Sequence, residues 1–421
     1  MKSSGYFDSP WPGEDGSASR LQAPVRIPGL SLNSADTPQV TRRKFRWDFG
    51  AMVVLREPGQ VYLMRANYLQ HRLLRLPSSS VVERIHPETL AVIRRSPRLK
   101  GGPMWPGGMA VHRNGKLYVV YGRYCHCLDA DCNLLKSTKL PRKSPYNSFV
   151  ILDNGYLVMK NYSSKHTAYL TILDPETLEP VCQEVETPEP SIARLSAKGN
   201  TIYVVGTQSI FRYHFSEVEA KPVLDPTWRF GYLKDPKQTY GWDVVISEHD
   251  AWFLDNGKHR YQFQMVGAGV SKNALNFIRV SLQDDQDSTV LPVSGLAKGT
   301  VTNPPLFAEG KKILVVYDSG NSVIRALKYD EGTKTFTELW RKDGFGCSSH
   351  MLYYPDTGEL CTNDYQPLKG DSTVVLDIET GEEKFRAKAK NFFQGVLFPA
   401  PGWNRDYYYL TFDALVRVSL S

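Results

Sequence analysis

Four polar residues in succession head otherwise apolar segments in the second half of this 421-residue chain: Asp243, Asn303, His350 and Gln394. The runs that follow them, such as VVI at 244–246 and MLYY at 351–354, read as strands. A carboxylate and an imidazole can exchange a proton near neutral pH, and amides beside them can orient a carbonyl or hydroxyl group. His350 and Asp243 are the ionisable members of the set and form the expected catalytic pair, with Asn303 and Gln394 orienting a substrate. Trp242, Tyr240, Trp105, Tyr146 and Ser349 flank such positions and are expected to line the substrate pocket, since aromatic walls around a few polar groups suit a small ligand. The plainer reading is that these groups cap strand ends and bind channel water, because buried polar atoms need partners.

A ring of repeated sheets would bring such residues together. The stretch 302–330, TNPPLFAEGKKILVVYDSGNSVIRALKYD, reads as an inner strand, a turn at Glu309-Gly310, a strand over 313–317, an Asp-Ser-Gly-Asn turn and a strand over 322–329. A fourth strand is expected over 336–341, and four antiparallel strands in this length make one blade of a β-propeller. Comparable units begin near 51, 108, 148, 192, 243, 350 and 395. The fold class is therefore all-β, a single propeller over 39–421 with eight four-stranded blades, or seven if the first unit is irregular. That first unit is read as strands at 51–55, 61–65, 71–76 and 89–95. The last unit has three strands, so residues 39–47 are expected to supply the fourth and close the ring. Residues 1–38 lack any period and read as an irregular arm, and deleting 1–30 is expected to leave cooperative unfolding intact.

Composition narrows the function. A net charge of +7 with dispersed basic residues gives no nucleic-acid footprint, and no apolar run is long enough for a membrane helix. Thr41-Arg42-Arg43-Lys44-Phe45 looks like a twin-arginine export signal, but Asp48 follows at once, so a cytoplasmic protein with reduced thiols is expected. Cys125 and Cys127 share one face of a strand with His126 on the other, which favours packed thiols over zinc. Gly267-Ala268-Gly269 with Ser271-Lys272 lacks the spacing of a phosphate loop, so no nucleotide is expected. Asp284-Asp285-Gln286-Asp287 reads as a solvated acidic turn.

The blade at 302–330 resembles one blade of the gluconolactonase and strictosidine-synthase-like superfamily, and its Asp318-Ser319-Gly320-Asn321 turn resembles an NHL-type repeat. That resemblance implies a divalent cation, calcium above all, held in the channel by Asn and Asp side chains and assisting hydrolysis of an ester or lactone. Asn303 matches such a ligand by motif, while Asp243 and Asn147 match by blade position; Asp48 is the nearest acid to the first blade. Oxygen donors of this kind suit a hard cation, and His350 would then act as a base beside it. The quinoprotein alcohol dehydrogenases also have eight blades, but the repeated Trp motif and adjacent cysteines are missing here, so no PQQ is expected.

Three functions remain open on the sequence. One is metal-assisted hydrolysis of a small-molecule ester or lactone. The second is a metal-free isomerase, cyclase or lyase acting on an apolar small molecule. The third is a non-catalytic binding scaffold.

Overall fold

The computed structural model describes residues 4–33, 36–46, 48–67, 71, 74–258, 272–301, 303–390, 395 and 398–420. Eight antiparallel sheets follow one another along the chain, seven of four strands and one of five. The molecule is a β-propeller of eight blades. The innermost strands are Phe49–Leu55, Pro106–Val111, Tyr146–Ile151, Ser196–Lys198, Val245–Ile246, Leu306–Ala308, Leu352–Tyr354 and Ala400–Pro401, for blades 1 to 8 in order.

Burial falls from the axis outward, and composition follows it. Phe49–Leu55 is buried at every residue because neighbouring blades cover both of its faces. The outermost strand of blade 1, Val92–Arg95, is exposed throughout and carries two arginines. Large rings fill the gaps between blades; Trp252 of blade 5 stacks on Phe307 of blade 6 with centroids 4.3 Å apart. Turns between the third and fourth strands repeat one device. Asp129, Asp174, Asp330 and Asp377 each accept two backbone N–H bonds from residues two to four positions on.

Closure follows the sequence expectation. Gln39–Lys44 pairs antiparallel with Ala414–Ser419, in register from Gln39–Ser419 to Lys44–Ala414, as the outer strand of blade 8. Arg43 on this strand reaches Glu83 of blade 1, which also accepts from Arg65 at 2.8 Å and pairs with Arg95 at 2.6 Å. Glu83 is fully buried, so three guanidinium groups offset the cost of desolvating one carboxylate. The third strand of blade 1 is Ser79–Ile85 and not the segment 71–76, part of which lies outside the described residues.

The arm enters the ring. Leu55 N donates to Trp11 O, Val111 N to Pro12 O, Ala197 N to Ala18 O, Ile246 N to Ser19 O and Tyr353 N to Gln22 O, all at 2.7–2.9 Å. It thus supplies acceptors to inner strands of blades 1, 2, 4, 5 and 7, while the Gln22 side chain bridges Pro305 O and Met351 N. Trp11, Arg20 and Gln22 are all but inaccessible to solvent. Removing residues 1–30, which the sequence reading expects to leave cooperative unfolding intact, would strip these partners from the strands that line the axis.

Candidate functional site

The polar entry residues meet the arm inside the channel. Asp243 lies just ahead of the short inner strand of blade 5, and its Oδ1 accepts the backbone N–H of Arg194 at 2.7 Å. The Arg194 guanidinium crosses the axis. It donates to Glu14 at 2.8 Å, to Gly107 O at 3.1 Å and to Pro106 O at 3.0 Å, and lies 5.2 Å from the centre of the Phe398 ring.

His350, ahead of the inner strand of blade 7, packs on the same Phe398 ring with centroids 4.1 Å apart. Its Nδ1 lies 2.9 Å from Asp15 Oδ1. Asp15 Oδ2 accepts from Arg20 at 3.0 Å, and Arg20 also pairs with Glu14 and donates to Leu195 O. Burial pushes the Asp15 carboxyl up, but His350 and Arg20 together outweigh it and hold the group below the usual carboxylate range. The cluster joins three carboxylates, Glu14, Asp15 and Asp243, to Arg20, Arg194 and His350.

Lys160 is a member that the sequence reading missed. It sits on the second strand of blade 3 opposite Ser148 and is inaccessible to solvent. Its Nζ donates to Ser191 O at 3.1 Å and Asn147 Oδ1 at 3.2 Å, with Asn161 O at 3.4 Å. These acceptors are neutral. Burial drives the amine down to about 7, Asp243 pulling it up and Arg194 pushing it further down. A lysine closing the run Leu157-Val158-Met159-Lys160 was the available signal, since a cation flanked by apolar strand residues has to find acceptors within the fold.

Three of the expected site residues, Asn147, Asn303 and Asp243, are committed to neighbouring blades. Asn147 is the extra residue of a β-bulge between Tyr146 and Ser148, which turns its amide onto Ile192 O of blade 4. Ser148 accepts from Leu195 N at 2.6 Å, and Ser196 donates to Val244 O. Asn303 donates to Ser348 O at 2.7 Å, and Ser348 in turn donates to Gly395 O at 2.8 Å. Ser349 turns its hydroxyl onto the His350 carbonyl at 2.8 Å. Asp243 belongs to the same set through Arg194 N. The entry residues thus staple successive inner strands together.

The structure brings together Asp243 and His350 around the arm, and Asn147 with Lys160. It does not bring Tyr146 to the axis: that ring packs in the cluster between blades 2 and 3, where its hydroxyl meets Thr171 and Glu184. Trp242 and Tyr240 pack edge to face at 6.4 Å, and Trp105 lies 5.6 Å from Tyr162. Gln394 and the 267–271 segment lie outside the described residues. Asp48 is engaged by Arg65 at 3.1 Å.

Two of the three expected metal donors already face a basic group of the protein: Asn147 Oδ1 accepts from the Lys160 amine, and Asp243 lies 4.0 Å from the Arg194 guanidinium. Among the described residues no three His, Cys, Asp or Glu side chains converge as a metal site. The Cys125-His126-Cys127 segment divides as its strand geometry requires. Both thiols pack in the cluster between blades 2 and 3, while His126 bonds Lys100 O at 2.8 Å and Ser137 at 2.8 Å.

No protein-family model matches the chain, and no curated protein matches it. Among solved structures, Sqt1 from Chaetomium thermophilum superposes with a TM-score of 0.59 over 89% of this chain and 97% of that one, at 10% identity. The β-propeller domain of Cps50 (Swd1) from Myceliophteria thermophila gives 0.48 over 91% and 100% at 12% identity, and the RRP9 WD40 repeats give 0.47 over 94% and 99% at 9%. At such identities the likeness concerns the fold alone.

Proposed function

We propose that this chain is a binding propeller, a rigid non-catalytic scaffold that offers its outer faces to partner macromolecules. The observation that carries this reading is the state of the channel: Asn147, Ser148, Asp243 and Asn303 are spent on blade-to-blade staples, and the arm brings a paired ionic cluster to His350 and Arg194. Side chains locked in this way have little freedom to take up a substrate, while the arrangement stiffens the ring. The six cysteines are all free and five are buried, which accords with a reducing, cytoplasmic setting. Among the described residues no helix is long and apolar enough to cross a membrane.

A second reading keeps one specific support. Asp15 against His350, with Lys160 poised near neutrality, is the raw material of an acid–base centre. Under it the chain would hydrolyse an ester or lactone, as the lactonase-type resemblance implies, or isomerise an apolar small molecule. The two readings separate in one experiment. Purified full-length protein is assayed against a panel of lactones and esters beside His350→Gln and Asp243→Asn, with folding checked by near-ultraviolet circular dichroism. The scaffold reading expects no turnover above background. Turnover that folded His350→Gln lowers by about 10²–10⁴ overturns it.

A further inference from the structure

A wide opening lies away from the axis, at the junction of blades 1 and 2. It is a cleft of about 950 Å³ bounded by the segments 76–79 and 98–103 on one side and by Arg123, Tyr124, Lys139 and Lys143 on the other. Arg98, Lys100, Arg123, Lys139 and Lys143 all line it, and no Asp or Glu does. None of the five makes an ion pair within the protein among the described residues. Arg98 instead donates to Ser79 at 3.2 Å, and Arg123 to Leu140 O and Pro141 O at 3.1 and 3.0 Å. Nearby, Arg84 is answered by Asp131, Arg95 by Glu83 and Arg142 by Glu184. Among the described residues the lining of the cleft carries one sign of charge.

Its floor is held in place. Leu99–Lys100 pairs with Ser79–Ser80 as the fifth strand of blade 1, and His126 of blade 2 bonds the Lys100 carbonyl from below. Burial drives His126 down to about 4, so it is neutral at physiological pH and the charge of the cleft comes from the five lysines and arginines. Leu76, Pro77 and Pro103 give the cleft apolar surface between the cationic tips. A concave, low-dielectric wall with one sign of charge focuses the field and raises the local concentration of an oppositely charged ligand.

We propose that this cleft binds an acidic peptide segment of a partner protein, with carboxylates on the five cations and apolar side chains on the floor. This rests on the binding-propeller reading and deepens it. Three features favour a peptide over a nucleic acid. The floor is aliphatic where base stacking would need exposed rings, Tyr124 being the sole ring at the cleft; three of the five cations are lysines, which lack the planar fork that grips phosphate bidentately; and the basic residues are gathered in one cleft rather than along a groove that could track a backbone.

The test uses full-length protein and a fluorescein-labelled peptide of repeated Asp-Asp-Leu, followed by anisotropy at low and at physiological salt. Lys100→Glu/Lys139→Glu/Lys143→Glu is compared with Lys328→Glu/Lys369→Glu/Lys388→Glu, which makes the same charge change on blades 6 and 7. A Gln triple at the cleft positions serves if the Glu triple folds poorly. The cleft variants should weaken binding about tenfold or more and flatten its salt dependence, and the control should change it by less than about twofold. Equal loss in both triples, or tighter cleft-dependent binding of a single-stranded RNA probe, overturns the proposal. If the cleft fails but no His350-dependent turnover is found, the scaffold reading stands without it; if such turnover is found, the scaffold reading falls whatever the cleft binds.

Discussion

Burying Lys160 among neutral acceptors sets up a measurable dependence of stability on pH. The amine is depressed to about 7 in the folded chain, against about 10.4 when unfolded. Below pH 7 both states are protonated and the cost of burying the charge is fully present. Between pH 7 and about 10 the unfolded chain holds the extra proton, so stability rises with pH, with a slope approaching about 1.4 kcal/mol per unit. Lys160→Met should flatten that slope in urea unfolding measured from pH 7 to 9.5; an unchanged slope would assign it to another group. Asp15 behaves in the opposite sense. Its carboxyl is held low, so its contribution is present above its unfolded pKa and lost as pH falls through the folded value. Asp15→Asn leaves His350 and one face of Arg20 unanswered and should cost about 3–5 kcal/mol at neutral pH. His350→Gln, which leaves Arg20 beside Asp15, should cost markedly less; the reverse order would mean that His350 anchors the arm. Asp243 and His350 could be found from sequence because each is a polar residue heading an apolar strand. Glu14, Asp15 and Arg20 could not, because the arm has no period and its partners are set by the closed ring.

Among the elements, the arm and the closing strand do different work and should fail differently. The arm supplies acceptors to inner strands and buries Trp11, so Trp11→Ala alone should cost about 3–5 kcal/mol by denaturant titration. Deleting residues 1–32 while keeping Gln39–Lys44 should lower the melting temperature well beyond that of the point variant. Equal melting of the truncated and full-length chains would mean that the arm merely rests in the channel. For the closing strand, Glu83→Gln removes the carboxylate charge and one of its two acceptor oxygens, leaving three arginines without the counter-charge they share, so this variant should loosen blade 1 from blade 8. Hydrogen exchange in 39–44 and 414–419 should quicken selectively. Most strands were legible from runs of apolar residues and turn signals, and the missing fourth strand of the last unit pointed to its donor. The third strand of blade 1 was not legible. Ser79–Ile85 contains Glu83, a charged residue that reads as exposed until its arginines are known, whereas the leucines at 73, 74 and 76 mimic a strand.

For the molecule as a whole, the eightfold repeat could be counted from the spacing of apolar runs, but the occupation of its axis could not. A resemblance confined to one blade carries the ligands of an open channel with it; here Arg194 and Lys160 face the oxygens that a cation would need. Calcium is therefore expected to leave the melting temperature unchanged, and a chelator likewise, since only a ligand bound to the native state shifts it by mass action. A rise on adding calcium that Asp243→Asn abolishes would restore the metal-assisted reading.

The pairing of Gln39 with Ser419 also sets a timetable for birth of the protein. At about 5–20 residues per second, the first strand waits roughly 20 to 80 seconds for its partner to be synthesised. Throughout that interval its neighbour Trp11 and the acids of the arm have no completed ring to enter. Nascent chains should therefore present a sticky leading segment to chaperones until Ala414–Ser419 has been made, and a ribosome stalled in the last blade would leave a product that cannot close.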